Sequence, residues 1–176
     1  MNKALFLDRD GTLILDKDYL SDPEGVELIP DVTEALKSAR DLGYLLFLFT
    51  NQSGIGRGYH TLEDAQACNQ RMLDLLDLGD DLFAAICIAP EAPDQISAYR
   101  KPSPRFILEM RAKHSLDPQQ CWMVGDRESD LEAGLNAHIN AVAVCTGKYN
   151  HETWHDKLPE GATLYEDFET FVQTLA

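Results

Sequence analysis

Positive charge is what this chain has least of. Its 176 residues include 15 Lys or Arg against 30 Asp or Glu, a formal net charge of −15 at pH 7. A broad electrostatic grip on nucleic acid or an anionic membrane surface needs clustered cations, so the balance speaks against both as partners. Long apolar runs are missing as well: Tyr44 to Phe49 is far short of the roughly 20 residues that span a bilayer. Met1 to Asp8 lacks the apolar core and cleavage site of a secretory signal, and the expected compartment is the cytoplasm. The four cysteines, Cys68, Cys87, Cys121 and Cys145, show no C-x-x-C or metal-knuckle spacing, so reduced thiols are expected. No repeat, linker or low-complexity tract breaks the chain. Hydrophobic residues make up 44% and charged residues 26%, values that suit one folded domain over residues 1–176 rather than disorder.

What is there is an alternation of strand and helix signals. Lys3 to Asp8 is an apolar run that ends abruptly in charge. Pro30 and Gly43 bracket a helix from about Asp31 to Leu42, and Tyr44 to Thr50 reads as a strand buried on both faces. Thr61-Leu62-Glu63-Asp64 resembles a capping box with Asp in place of Glu, opening a helix that runs to Leu76. Leu82 to Ile88 reads as a third strand, followed by a Pro-rich loop from Ala89 to Pro102. Ser103-Pro104 suits the start of a helix through Lys113. Cys121 to Val124 and Asn140 to Cys145 read as two further strands, with a helix from Ser129 to Asn136 between them and a last helix from Glu166 to Leu175. Alternation of this kind predicts an α/β domain: a Rossmann-like central parallel sheet with helices on both faces. Ligands of such sheets bind beyond the carboxyl ends of the strands. That rule singles out Asp8-Arg9-Asp10, Thr50 to Ser53, the Pro-rich loop and Gly125-Asp126.

Those stretches carry unusual chemistry. Asp8 and Asp10 set two carboxylates one residue apart where a buried strand stops, and crowded carboxylates repel unless a cation or proton intervenes. A plain turn explains an Asp-Gly pair equally well. The functional alternative makes one Asp a nucleophile and the other a proton donor, with a hard cation such as Mg²⁺ between them. Thr50 offers a hydroxyl to phosphate oxygens, and the glycines of Gln52 to Gly58 let backbone amides approach a ligand. Arg100-Lys101 is an adjacent basic pair placed to clamp phosphate. Asp126 and Asp130 lie four apart across a strand-to-helix turn, where a helix N-terminus by itself favours acids.

In that order the four stretches resemble the motifs of the haloacid dehalogenase-like hydrolase superfamily: Asp8-x-Asp10-Gly11-Thr12, Thr50, Lys101 and Gly125-Asp126-x-x-x-Asp130. The resemblance implies a phosphatase with Asp8 as nucleophile, Asp10 as general acid and base, and Thr50 and Lys101 on the phosphoryl oxygens. It implies Mg²⁺ held by Asp8, the Asp10 carbonyl and Asp126, with Asp130 orienting Lys101 or a metal-bound water. Cap domains of that superfamily are inserted after the first or second motif. Neither interval here has room for a large one, so an open site for a terminal phosphate is expected. Lys148, following Thr146-Gly147, is placed within reach of it.

The local wording is most similar to the family of the heptose-1,7-bisphosphate 7-phosphatases and the histidinol-phosphate phosphatases, through Thr50-Asn51-Gln52-Ser53-Gly54-Ile55-x-Arg57-Gly58 and Arg100-Lys101-Pro102. By that resemblance Asp16, Lys17, Asp18 and Tyr19, Asn51, Gln52, Ser53, Arg57, Arg100 and Arg127 touch a small phosphorylated metabolite, and the protein is a monomer. The heptose bisphosphate is the expected substrate. Histidinol phosphate or another small sugar phosphate is the alternative, and a non-catalytic phosphate-binding module is a third. In that family the loop before Arg-Lys-Pro usually carries four Cys and His ligands for zinc. Here it reads Ala89-Pro90-Glu91-Ala92-Pro93 and Ser97-Ala98-Tyr99, so no zinc is expected. Arg9, Lys17, Arg57, Arg100, Lys101 and Arg127 are expected to form a cationic patch around the metal. His114, His138, His151 and His155 read as surface or loop residues, and Trp122 and Trp154 as packing residues.

Overall fold

β1 (Asn2–Leu7) is flanked by β2 (Tyr44–Asn51) and β4 (Leu116–Gly125), and every pairing in the sheet is parallel. β3 (Ala85–Ala89) lies outside β2, while β5 (Asn140–Val144) and β6 (Ala162–Tyr165) extend the other side, for an order β3-β2-β1-β4-β5-β6. This computed structural model describes all residues from 1 to 176. The order reverses direction between β1 and β4, and that reversal opens a crevice at the carboxyl edge.

Successive residues of a strand point to opposite faces, and β1 uses both. Leu5 and Leu7 enter one core with Leu36 and Ala39 of α1 (Val32–Asp41), Met72 and Leu76 of α3 (Leu62–Leu76), and Phe168 and Phe171 of α7 (Phe168–Gln173). Ala4 and Phe6 enter the other with Phe106 and Ile107 of α4 (Arg105–His114) and Ala133 of α5 (Glu128–Asn136). Phe6 stacks on Phe47 at 4.8 Å, with Phe106 edge-on to Phe6 at 6.0 Å. All four residues from Ala4 to Leu7 are fully buried, the reason that run reads as unbroken apolar rather than alternating.

The Thr61 cap is as expected: its hydroxyl accepts from Asp64 N at 3.1 Å, and the Asp64 carboxylate accepts from Thr61 N at 2.8 Å. Other elements differ from expectation. The third strand starts at Ala85, not Leu82, because Leu82 and Phe83 bury themselves from a turn before the sheet begins. The fourth strand reaches back to Leu116 through an irregular pairing, Asn2 opposite Leu116 and Ala4 opposite Cys121. The helix expected over 166–175 is only Phe168–Gln173, capped by Asp167, and α4 begins at Arg105 with no side-chain cap. Two one- or two-turn helices, α2 (Ser53–Gly56) and α6 (His151–Lys157), and the sixth strand were not foreseen.

Trp154 of α6 is fully buried and donates from Nε1 to the Val144 carbonyl, and Trp122 packs on Tyr44 and Phe171. His138, His151 and His155 are exposed, but His114 is half-buried with its ring 5.3 Å from that of Phe47. All four cysteines are free, Cys68 and Cys121 buried. Between β1 and α1 there is no cap domain, only a flap with a single 3-10 turn at Pro23–Gly25. No helix is long and apolar enough to cross a membrane.

Candidate active site

The carboxyl ends of β1 and β4 bring Asp8 and Asp126 to the crevice where the strand order reverses. Asp8 N donates to the Val124 carbonyl at 3.0 Å, so the sheet ladder continues one residue past β1 and holds the Asp8 backbone rigidly. Lys101 arrives from the loop after β3. Its Nζ lies 2.7 Å from Asp8 Oδ1, 2.6 Å from Asp130 Oδ1 and 2.6 Å from the Phe49 carbonyl. Asn51 braces the Lys101 backbone from both sides, accepting from its N–H at 3.0 Å and donating to its carbonyl at 3.1 Å. The other oxygen of Asp130 accepts from Arg127 N at 3.0 Å, tying the start of α5 to the same cluster.

One oxygen in this cluster is left over. Asp126 is fully buried and its Oδ2 accepts from Lys148 N at 2.5 Å, whereas Oδ1 has no hydrogen-bond partner and only Arg127 Nε at 3.9 Å nearby. Carboxylate oxygens of Asp8, Asp126 and Asp130 lie within 4.8 Å of one another. Three carboxylates against one lysine leave two formal negative charges in a buried site. Burial, opposed by Lys101 and reinforced by Asp130 and Asp10, pushes the Asp8 carboxyl up to about 7. Burial, reinforced by Asp8 and Asp130, pushes Asp126 up to about 8. Burial by itself would lower the Lys101 pKa, but Asp130 and Asp8 outweigh it and hold the ammonium charged. A buried anionic excess with an orphaned oxygen fits a hard divalent cation that takes oxygen ligands, as Mg²⁺ does.

Glycine is required on both sides of Asp126. A Cβ on Gly11, whose φ is +85°, or on Gly147 would collide with the Asp126 carboxylate, and Thr146 Oγ1 donates to the Gly11 carbonyl at 2.7 Å to keep the two loops together.

The pocket in front of these groups has a volume of about 280 Å³. Asp8, Asp10, Lys101 and Asp130 form its floor; Asp16, Asp18 and Tyr19 reach it from the flap and Ser53 from α2, and Arg100, Arg127 and Lys148 complete its lining. The flap is anchored by Arg127 Nη2 on Asp16 Oδ2 at 2.8 Å and by the Tyr19 ring, edge-on to Tyr59 at 4.9 Å. Asn51 and Gln52 also border the pocket, but their side-chain amides are committed, Asn51 to Lys101 and Gln52 to Asp10 Oδ2 and Thr50 Oγ1.

The expected six-membered cationic patch is smaller than that. Arg9 is fully buried beneath α3, bonded to Asp10 and Asn69, and Lys17 is paired with Glu27. Arg57 is exposed and does not border the pocket, although it lies near enough to Arg100 to help lower its pKa after burial. Thr50 is buried behind Gln52. The structure also shows residues that were not anticipated in the sequence: Gly147 beside Asp126, Ser97 beside Arg100, and Asn69 beside Arg9. Gly147 alone carried a local signal, its place one strand-end beyond β5.

Comparison with known proteins agrees with this architecture. The family described as HAD-hydrolase-like matches residues 98–170. A D-glycero-beta-D-manno-heptose-1,7-bisphosphate 7-phosphatase of Helicobacter pylori is 46% identical over 140 residues, covering 78% of this chain and 80% of that one. The Pseudomonas aeruginosa protein of the same name is 33% identical over 172 residues, 97% of this chain and 96% of that one. The crystal structure of the D,D-heptose 1,7-bisphosphate phosphatase of B. bronchiseptica, complexed with magnesium and phosphate, superposes with a TM-score of 0.89 at 29% identity, covering 98% of this chain and 97% of that one. With its six-stranded parallel sheet and carboxylate cluster at the β1–β4 crevice, this chain belongs to the phosphatases of the haloacid dehalogenase-like hydrolase family.

Proposed function

We propose that this phosphatase removes the 7-phosphate of D-glycero-D-manno-heptose-1,7-bisphosphate through an aspartyl-phosphate on Asp8. The observation that carries the reading is the buried Asp8–Lys101–Asp130 chain at the strand-order reversal, in a protein whose relatives of that name match it along nearly its whole length. Asp8 attacks phosphorus, the bond from phosphorus to the sugar oxygen breaks, and Asp10 gives that oxygen a proton. Asp10 then takes a proton from the water that attacks the acyl phosphate, releasing inorganic phosphate and restoring Asp8. Lys101 fixes Asp8 Oδ1 and offsets charge on the phosphoryl oxygens; Asp130 keeps Lys101 in place. Asp8, Asp126 and the Asp10 carbonyl would hold Mg²⁺, which supplies a Lewis acid for the phosphoryl group.

The rim supports a bisphosphate. Arg100 and Arg127 line the pocket beside the flap, with Arg57 close by, an arrangement suited to a second anionic group and unfavourable to the amine of histidinol phosphate. Asp16, Asp18, Tyr19 and Ser53 are placed for sugar hydroxyls. The loop from Ala89 to Pro102 needs no zinc in this reading, because hydrogen bonds close it: Ser97 Oγ donates to Glu91 Oε2 at 2.8 Å and accepts from Arg100 N at 2.9 Å, and Arg100 Nη1 donates to the Glu91 carbonyl at 3.1 Å. The protein acts in this reading as a cytoplasmic monomer. Phosphate release with Mg²⁺ from the heptose bisphosphate and from histidinol phosphate tests the assignment, and turnover of histidinol phosphate alone would reverse it.

A further inference from the structure

Asn69 lies on α3, outside every strand-end stretch, yet its side chain reaches the catalytic edge through one intermediary. Asn69 Oδ1 accepts from Arg9 Nη1 at 2.9 Å, and the same nitrogen makes a longer bond of 3.4 Å to the Ala65 carbonyl. The Arg9 guanidinium then grips both oxygens of Asp10, Nε to Oδ2 at 2.9 Å and Nη2 to Oδ1 at 3.2 Å. Gln52 Nε2 reaches Asp10 Oδ2 from the end of β2 at 2.9 Å. Arg9 is 0% exposed and Asn69 4%.

A fully buried arginine is costly, and a position that only had to fill space would do better with Leu or Met. What an arginine adds is a planar fork that sets the plane of a carboxylate. The fork can do so only if its own long side chain is pinned. Within this core the side-chain acceptor that pins it is Asn69, since Asp10 is the group being oriented. Arg9 therefore does not join the phosphate-facing cations. It faces inward, between a helix and the acid.

We propose that Asn69 is a positioning residue for Asp10, acting through Arg9 to hold the carboxyl toward the leaving oxygen while the phosphorus–oxygen bond breaks. The inference rests on the reading of Asp10 as the proton donor. Its signature is chemical. A sugar alkoxide is a poor leaving group and must be protonated as it departs, whereas p-nitrophenolate leaves as a stable anion and gains little from a donor.

The test compares kcat/KM for the heptose bisphosphate and for p-nitrophenyl phosphate, because that ratio reports the step in which the leaving group departs. Asn69→Leu is expected to lower the value for the sugar phosphate between about ten- and a hundredfold, and that for p-nitrophenyl phosphate less than about threefold. The inhibition constant for inorganic phosphate should not change. Asn69→Asp, which keeps an acceptor oxygen at the same place, should retain the wild-type ratio, and Asn69→Ser, too short to reach Arg9 but still polar, should repeat the split if the leucine variant does not fold. Asp10→Asn is the reference. If it shows no split between the two substrates, the proton-donor reading falls and the inference with it. If Asp10→Asn shows the split and the Asn69 variants lower both substrates equally, or neither, the Asn69 inference alone is overturned.

Discussion

Lys101 Nζ sits 2.7 Å from Asp8 Oδ1 although 93 residues separate them in the chain, and both side chains are buried. The ammonium is the one buried positive charge among three carboxylates, and Asp130 holds it from the other side. Taking it away leaves buried charge unpaired. Lys101→Met is expected to destabilise the metal-free protein by about 3 kcal/mol or more in urea unfolding, with recovery of part of that loss when Mg²⁺ is added. Activity should be lost with it.

The raised Asp8 and Asp126 carboxyls have a consequence for pH. Both bind a proton more tightly folded, at about 7 and about 8, than at the ordinary 3.8 of an unfolded aspartate. The folded state therefore carries more protons than the unfolded one across that window, and the metal-free protein loses stability as pH rises from about 4 to 8. Mg²⁺ requires the deprotonated forms. The rise in melting temperature on adding Mg²⁺ should be small at pH 5.5 and grow steadily to pH 8.5; a shift independent of pH would contradict it.

Gly147→Ala should weaken metal binding and the fold together. Its new methyl group would run into the Asp126 carboxylate and the Gly11 Cα, with no motif residue changed. Displacing a ligand this way is expected to weaken Mg²⁺ by about 10–100-fold in calorimetric titration, and the backbone clash to lower apo stability by about 1–3 kcal/mol in urea unfolding.

The Ser97 clasp predicts a kinetic split of its own. Ser97→Ala removes the acceptor for Arg100 N and Tyr99 N and the donor to Glu91, which should cost about 1 kcal/mol in placing Arg100. KM for the bisphosphate is expected to rise about fivefold with kcat unchanged, and KM for p-nitrophenyl phosphate to stay the same. Elemental analysis of the purified protein should find less than one zinc per chain.

Much of the site was legible because a parallel α/β chain delivers its strand ends to one edge, so abrupt carboxylates after apolar runs at Asp8 and Asp126 mark positions that meet in space. The Thr61 cap was equally legible, being made by residues three apart. Strand β6 was not: Ala162–Tyr165 is four residues long and half-exposed, and it becomes a strand only because β5 offers it a ladder. Arg9 was misplaced for the converse reason. Its position beside two motif aspartates suggested a role facing phosphate, but a side chain at a strand end has two sides to turn to, and Asn69 lies on the buried one.

By itself the sequence determined the alternating elements, the two aspartates one residue apart, the lone basic pair at Arg100-Lys101 and the shortage of cations, all properties of neighbours along the chain. Only the tertiary structure decided that Lys101 pairs with Asp130 as well as Asp8, that Gln52 turns to Asp10, and that Asp126 keeps one oxygen free. Those choices depend on hydrogen bonds and exclusion of water between segments dozens of residues apart. No local pattern encodes them, because their energy exists only once the sheet has brought the partners together.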